Sequence, residues 1–370
     1  MIKTVAACAM LLVVLQSIPA RAEIKVIEAE SVYLMGDNDS KIDARRIAVQ
    51  EAKRKALEEA GTFVASLTEV KDYKLTKDEV TAYTAGVVET EIAAEEMRGS
   101  TAKPEMFVRV RCRIDTDVMN EQISRFREHE DLKEQLTAAH KENETLRKER
   151  ESLVRKLHME KSGPKAGDIQ KKLDSVLSKE EANDDVRNTW ASLSRKMDFV
   201  DAGYNGNNVS PEELERATTL VQRAASVNPD NRRARILLAM LYQRQGDPDA
   251  AEKILRSSAA THPANPFYHM KLGLLLKERG RHNEALKEFH LVEKVRPRDP
   301  RMLFHSGMTH YTIGNCRQSA SYLTRFLKIA QNAKRPVVQK MKGEALQAVQ
   351  DCRDRMRQRG PDRRPHRQLR

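Results

Sequence analysis

Hydrophobic positions along the chain fall into patterns that change several times, and each change marks a segment. The clearest alternation is Phe107-Val-Arg-Val-Arg-Cys-Arg-Ile114, which sets Val108, Val110, Cys112 and Ile114 on one face and Arg109, Arg111 and Arg113 on the other. Period two over eight residues predicts a half-buried strand with Cys112 as a core thiol. Val87 to Met97 alternates likewise, with Glu89 and Glu91 facing outward. A hairpin turning near Ser100 to Lys103 puts those glutamates opposite Arg113 and Arg111. Such cross-strand pairs contribute ~0.2–1 kcal/mol each, which serves register more than stability. Upstream, between a first strand at about Ile24 to Leu34 and this hairpin, Ala44, Ala48, Ala52, Ala56 and Ala60 recur every fourth residue. That spacing predicts a helix whose small-residue face lies close against the sheet. Thr76-Lys-Asp-Glu79 is a capping box that opens a second, shorter helix. Asp37-Asn-Asp-Ser40 reads as a turn and helix cap, because Lys41 and Ile42 stand where a calcium loop needs a ligand and a glycine. Residues 23–117 are thus expected to form a small α+β domain.

From 118 to 160 the text turns to Glu, Lys, Arg and Gln with sparse apolar residues. Leu132, Leu136, Ala139, Asn143, Leu146, Arg150, Leu153 and Leu157 follow the four-three spacing of a heptad seam, with Asn143 at a position where a polar residue fixes register. Two readings fit: a coiled coil that pairs two copies into a homodimer, or a single charged helical rod, since His129 and Arg150 also lie on the seam. Lys161 to Gly167 carries Gly163, Pro164 and Gly167 and reads as a break, so 161–183 is taken as a linker and short helix.

Beyond it the chain repeats at a period of 34: Ala239, Gly273 and Gly307; Gly246, Gly280 and Gly314; Pro263 and Pro297; Ala251, Ala285 and Ser319; Leu255, Phe289 and Leu323. These positions identify tetratricopeptide repeats. The physics fits a helix pair: a small residue where two helices cross, a glycine ending the first, large apolar residues between them and a proline opening the next. The units fall at 184–231, 232–265, 266–299 and 300–333, the first degenerate, with an insertion around Gly203 to Asn208 before the capped start Ser210-Pro-Glu-Glu213. A capping helix follows at 334–358, because an end repeat needs a polar outer face. The expected fold is therefore mostly α: a C-terminal α-solenoid, a coiled coil or rod, and the N-terminal α+β domain.

In such arrays the first helices line a concave groove. By register that groove carries Arg233, Ile236, Met240 and Arg244, then Phe267, Met270, Lys271, Leu274 and Lys277, then Arg301, Phe304, Met308 and Tyr311. An apolar floor with a basic edge suits a protein partner offering an amphipathic segment with acidic flanks. The other reading of this stripe is packing within the chain. Some repeat proteins of this kind grip a C-terminal carboxylate with Lys and Asn; Ile236 and Met240 stand at those places here, which argues against that clamp. Cys316 and Cys352 lie about equally far from the turn that joins their helices, so they are either a disulfide or two buried thiols.

Charge and chemistry narrow the function. Of the formal charge of +12, much sits in the tail 359–370 and the residues just before it, where eight arginines lie between Arg353 and Arg370. A basic, proline-containing end either contacts an anionic envelope surface or stays solvated without a partner; nucleic acid is not expected. No phosphate loop, dinucleotide turn, paired-Cys site or His-Glu-x-x-His helix occurs, and His305 and His310 are spaced wrongly for two ligands on one helical face. No catalytic residue, metal or cofactor is expected. At the start, Lys3, the apolar run Val5 to Leu15, Pro19 and Ala20-Arg21-Ala22 have the layout of a secretory signal peptide over 1–22, so a periplasmic location is expected, an uncleaved anchor being the alternative.

The N-terminal segment resembles the N-terminal domain of flagellar assembly protein T and related small outer-membrane lipoproteins. The likeness rests on Ala44-Arg45 leading the Ala-spaced helix, on Gly61-Thr-Phe-Val-Ala-Ser-Leu-Thr-Glu-Val70, on Leu75 to Gly86 and on a closing strand ending in Asp115. The resemblance implies an envelope location and a structural or assembly role. Taken together, the expected function is a non-enzymatic envelope adaptor that binds a protein through its repeats. The alternatives are a structural component of an envelope machine, such as a flagellar basal body or outer-membrane complex, and an anionic-surface binder acting through the tail.

Overall fold

The computed structural model describes residues 24–70, 76–101, 103–116, 119, 123, 130–160, 163–194, 209–333 and 336–358. The expected signal peptide, the insertion at Gly203 to Asn208 and the basic tail lie outside the described residues.

Strand β1 (Ile24–Leu34) leads into helix α1 (Lys41–Val70) and helix α2 (Lys77–Val87), followed by β2 (Glu89–Ser100) and β3 (Lys103–Asp115). The sheet is antiparallel in the order β1-β3-β2. Its register sets Glu89 opposite Arg113, Glu91 opposite Arg111 and Ser100 opposite Lys103, with a bulge between Ile92 and Ala94. Ala44, Ala48, Ala52, Ala56 and Ala60 are wholly buried, and so are Val108, Val110 and Cys112 facing them. The absence of longer side chains on α1 is what lets the helix settle on the sheet. The Thr76 capping box is present in full, its hydroxyl accepting from the Glu79 amide and the Glu79 carboxylate accepting from the Thr76 amide.

Helix α3 (Glu130–Met159) turns back at Gly163 into α4 (Pro164–Ser194), and the two form an antiparallel hairpin. This corrects both readings of the heptad seam. Leu146, Leu153 and Leu157 are buried against Leu173, Val176 and Leu177 of α4 and Ile47 of α1, while Leu136 joins the core of the α+β domain. Asn143 accepts a hydrogen bond from Asn183 of α4 at 2.7 Å. Arg150 is buried in a 3.0 Å ion pair with Glu180 of α4. From Leu136 to Leu157 the seam is thus covered within the chain, and α3 is no free-standing rod. The expected linker is the hairpin turn followed directly by helix, because Pro164 occupies the first helical position, where its missing N–H costs nothing.

Helix α4 also carries the chain into the solenoid. Its end, with Trp190 and Leu193, packs against α5 (Pro211–Val227) as the first helix of the degenerate unit. The pairs α6 (Arg232–Arg244) and α7 (Pro248–Thr261), α8 (Pro266–Glu278) and α9 (His282–Val295), and α10 (Pro300–Thr312) and α11 (Cys316–Ile329) follow, and α12 (Pro336–Gln358) closes the stack. At the crossings the small residue is a steric requirement: a Cβ on Gly273 would lie 2.6 Å from Phe289, and one on Gly307 would lie 2.5 Å from Leu323. Gly246, Gly280 and Gly314 end the first helices with φ of 80°, 73° and 78°, where a Cβ is disfavoured. No helix among the described residues is long and apolar enough to cross a membrane.

Candidate functional site

The first helices of the units, α6, α8 and α10, stand side by side. Asn231, Asn265 and Asp299 cap them, each side chain accepting backbone N–H bonds in the first turn, and Pro266 and Pro300 start two of them. These caps fix where each helix begins, and so which residues point into the concave side.

The thirteen residues expected to line the groove separate into two sets. Arg233, Ile236, Met240, Phe267, Met270 and Phe304 are buried, at 1% to 5% exposure. They form the floor and are already covered: Phe304 packs on Phe326 with ring centroids 5.2 Å apart, and the Arg296 guanidinium lies 5.0 Å from the Phe267 ring. Arg244, Lys271, Leu274, Lys277, Arg301, Met308 and Tyr311 are half-buried and make the surface that a partner could touch. The apolar members Leu274, Met308 and Tyr311 rest on the array's core. The cations Lys277, Arg301 and Lys271 act together on His305, which burial first and these charges second hold well below its usual pKa. Burial also pushes the Lys277 ammonium down, against the pull of Glu278 and Glu344. The surface is therefore a basic ridge with an apolar centre, narrower than the sequence expectation.

Both ends of the ridge are closed by the chain. At the C-terminal end, Tyr311 donates to Asp351 of α12 at 2.7 Å with Arg355 5.2 Å over its ring. At the N-terminal end, α3 reaches the starts of α6 and α8, and Glu134 pairs with Arg296. The contact with α12 is the packing within the chain that the sequence left open as the other reading of this stripe. Sequence reasoning missed the contact with α3, and it missed Asn183, whose side chain bonds Asn143 of α3 and accepts from Asn228 and Asn231 at 2.9 and 2.6 Å. Both misses follow from reading α3 as separate from the array.

Cys316 and Cys352 are brought together as adjacent thiols, one half-buried and one buried. Burial first, and the neighbouring Cys316 second, push the Cys352 thiol up to about 11.

Residues 210–275 match the family model described as tetratricopeptide repeat. The human protein named tetratricopeptide repeat protein 5 is 26% identical over 178 residues, which are 48% of this chain and 38% of that protein. The chain thus spans well under half the length of that relative. Among solved structures, PcrH in complex with the chaperone binding region of PopD is 19% identical, covering 35% of this chain and 96% of that one, with a TM-score of 0.32. MamA AMB-1 is 17% identical, covering 51% and 94%, again with a TM-score of 0.32. With the period of 34, the glycine-dependent crossings and the family match in agreement, the protein carries tetratricopeptide repeats.

Proposed function

We propose that this protein is a non-enzymatic adaptor of the cell envelope that binds a segment of another protein along the ridge formed by α8 and α10. The observation that carries the reading is the grouping of Leu274, Met308 and Tyr311 with Lys271, Lys277 and Arg301 on the concave side of a tetratricopeptide array. An apolar strip gives a helix or extended segment something to bury, and the cations select acidic flanks. The envelope location rests on the N-terminal leader pattern and on the likeness to flagellar assembly protein T, both read from residues alone. Its test is the mass of the protein recovered from the envelope fraction: cleavage after Ala22 is expected, an intact leader there would mean the uncleaved anchor, and recovery of all the protein from the cytosol with its leader intact would remove the exported reading.

The binding reading is tested by recovery of partners on full-length protein from an envelope extract, beside the variant Leu274→Glu with Met308→Glu. These positions are half-buried, so the change alters the ridge without opening the core, as substitution of Met270 or Phe304 would. A partner held by the unaltered protein and lost by the variant, at equal helicity, supports the adaptor. Equal recovery by both places binding elsewhere.

A further inference from the structure

Helix α12 closes the array, and its hold on the array is concentrated in one stripe. Ala345, Ala348, Val349 and Cys352 are buried, at 0% to 5% exposure, with the spacing of a single helical face. That face rests on the core to which Leu323 and Phe326 of α11 belong. Polar contacts add to it: Tyr311 of α10 donates to Asp351 at 2.7 Å, and Lys342 donates to the Gln331 carbonyl at 2.9 Å. From 353 to 358 no side chain is buried, so Cys352 is the last anchored residue of the helix as far as it is described. Terminal helices open from the end that lacks buried contacts.

At that anchor Cys352 meets Cys316. Cys316 is the first residue of α11, directly after the turn in which Gly314 takes a φ of 78° and Asn315 caps the helix. Its half-buried side chain is in hydrogen-bonding contact with the Cys352 thiol. The neighbouring Tyr311–Asp351 bond fixes α10 against α12 at the same level. An S–S bond of about 2 Å needs the sulfurs nearer than this contact. A helix start behind a glycine turn takes up such a shift more readily than the middle of a helix does. Among the described residues Cys112 is the one other cysteine, and it is wholly buried in the separate core of the α+β domain, so it is no rival partner.

We propose that Cys316 and Cys352 are a disulfide-forming pair, joined by exchange with an oxidant that itself carries a disulfide, and that the link fastens α12 to the array. The half-buried Cys316 is the sulfur an oxidant reaches first. Its sulfur attacks one sulfur of the oxidant's disulfide; that S–S bond breaks, a mixed disulfide forms, and the other sulfur of the oxidant leaves as a thiol with the Cys316 proton. Cys352, buried and held up at about 11, keeps its proton longer and reacts second. It attacks the Cys316 sulfur, the bond to the oxidant breaks, and the oxidant's remaining sulfur leaves as a thiol with the Cys352 proton. Two protons and two electrons have then passed to the oxidant, which ends as two thiols, and the protein has gained one S–S bond. With the loop between the two cysteines closed, opening of α12 no longer carries Asp351 away from Tyr311. An exported protein meets such oxidants, and no partner on the ridge is needed for the link to form.

Full-length protein is treated either with oxidised glutathione or with a reductant, then unfolded with its free thiols blocked, and digested. The expected result is a peptide pair joining Cys316 to Cys352 in the oxidised sample alone, with Cys112 recovered as a blocked thiol in both. Amide exchange on the same two samples reads the fastening: over Pro336–Gln358 it slows by about tenfold or more on oxidation, and over the sheet it is unchanged. Cys316→Ser, a change at a half-buried helix start, abolishes both the link and the slowing. Should that variant misfold, the paired samples of unaltered protein still decide the matter. Recovery of both cysteines as thiols after oxidation, or of Cys316 as a lasting glutathione adduct, overturns the pair. A link that leaves exchange along α12 unchanged overturns the fastening, and so does equal slowing in folded Cys316→Ser. Failure of the ridge to hold a partner moves neither readout.

Discussion

The repeat array and the α3–α4 hairpin are both built from antiparallel helices, yet they differ in what they join. In the array each helix packs on its neighbours in sequence through dry contacts, with Phe289 and Leu323 filling the space that Gly273 and Gly307 leave. The hairpin instead bonds parts of the chain far apart in sequence, and does so with charge: Arg46 to Asp174 at 2.5 Å, Lys53 to Asp184 at 2.6 Å, Arg187 to Thr90 at 2.9 Å. Stability in the array is close to a sum over nearest neighbours, whereas the hairpin couples the α+β domain to the array. A lesion in the first is expected to stay local, and one in the second to loosen the junction.

The largest effect is expected at the buried pair in the hairpin. Arg150→Ala leaves Glu180 buried alone and costs about 3–5 kcal/mol, while Arg150→Met with Glu180→Met stays near the unaltered protein. Urea unfolding of the two variants checks this; equal loss in both would mean packing, not charge, is at stake. Next, Gly307→Val drives side-chain atoms into Leu323 and costs about 1–3 kcal/mol or more, with faster amide exchange confined to α10 and α11 and none at the sheet. Asn183→Ala removes a hub that serves α3, α5 and α6 together, and is expected to cost about 1–3 kcal/mol while raising exchange on both sides of the junction.

A smaller effect depends on pH. Burial beside Lys277, Arg301 and Lys271 keeps His305 neutral in the fold, so the unfolded chain takes up its proton first. Its contribution is whole above about pH 6.5 and declines as pH falls below that value. His305→Gln should flatten the dependence of the urea midpoint between about pH 7 and about pH 5. His269 works in the opposite sense: its bond to Glu288 raises its pKa, so its contribution is present at low pH and is lost as pH rises through the folded value. Smallest of all, Arg109→Ser breaks an exposed 2.6 Å pair with Glu30 and should shift stability by less than about 1 kcal/mol.

The same contrast explains what could be read from residues alone. The array was legible because its crossings demand a small residue every 34 positions, and the sheet because Arg109, Arg111 and Arg113 alternate with buried partners. The hairpin was not, because a seam of Leu146, Leu153 and Leu157 looks the same whether the partner is a second copy or α4. Helix α4 hid its continuity: its end, with Trp190 and Leu193, reads as the start of the first repeat unit, whereas Leu173 and Val176, buried against α3, lie in the stretch that reads as a linker and short helix. The groove residues were named correctly as lying on the first helices, but exposure depends on what covers them. The capping helix α12 could be read from the sequence, but nothing in α3 announces that it closes the other end of the ridge.

The most direct test of the account is amide hydrogen exchange of the full-length protein with and without a partner recovered from the envelope extract. Slower exchange along Pro266–Glu278 and Pro300–Thr312, where the ridge lies, is the expected result. Protection confined to the sheet or to the outer face of the hairpin, with α8 and α10 unchanged, would contradict it.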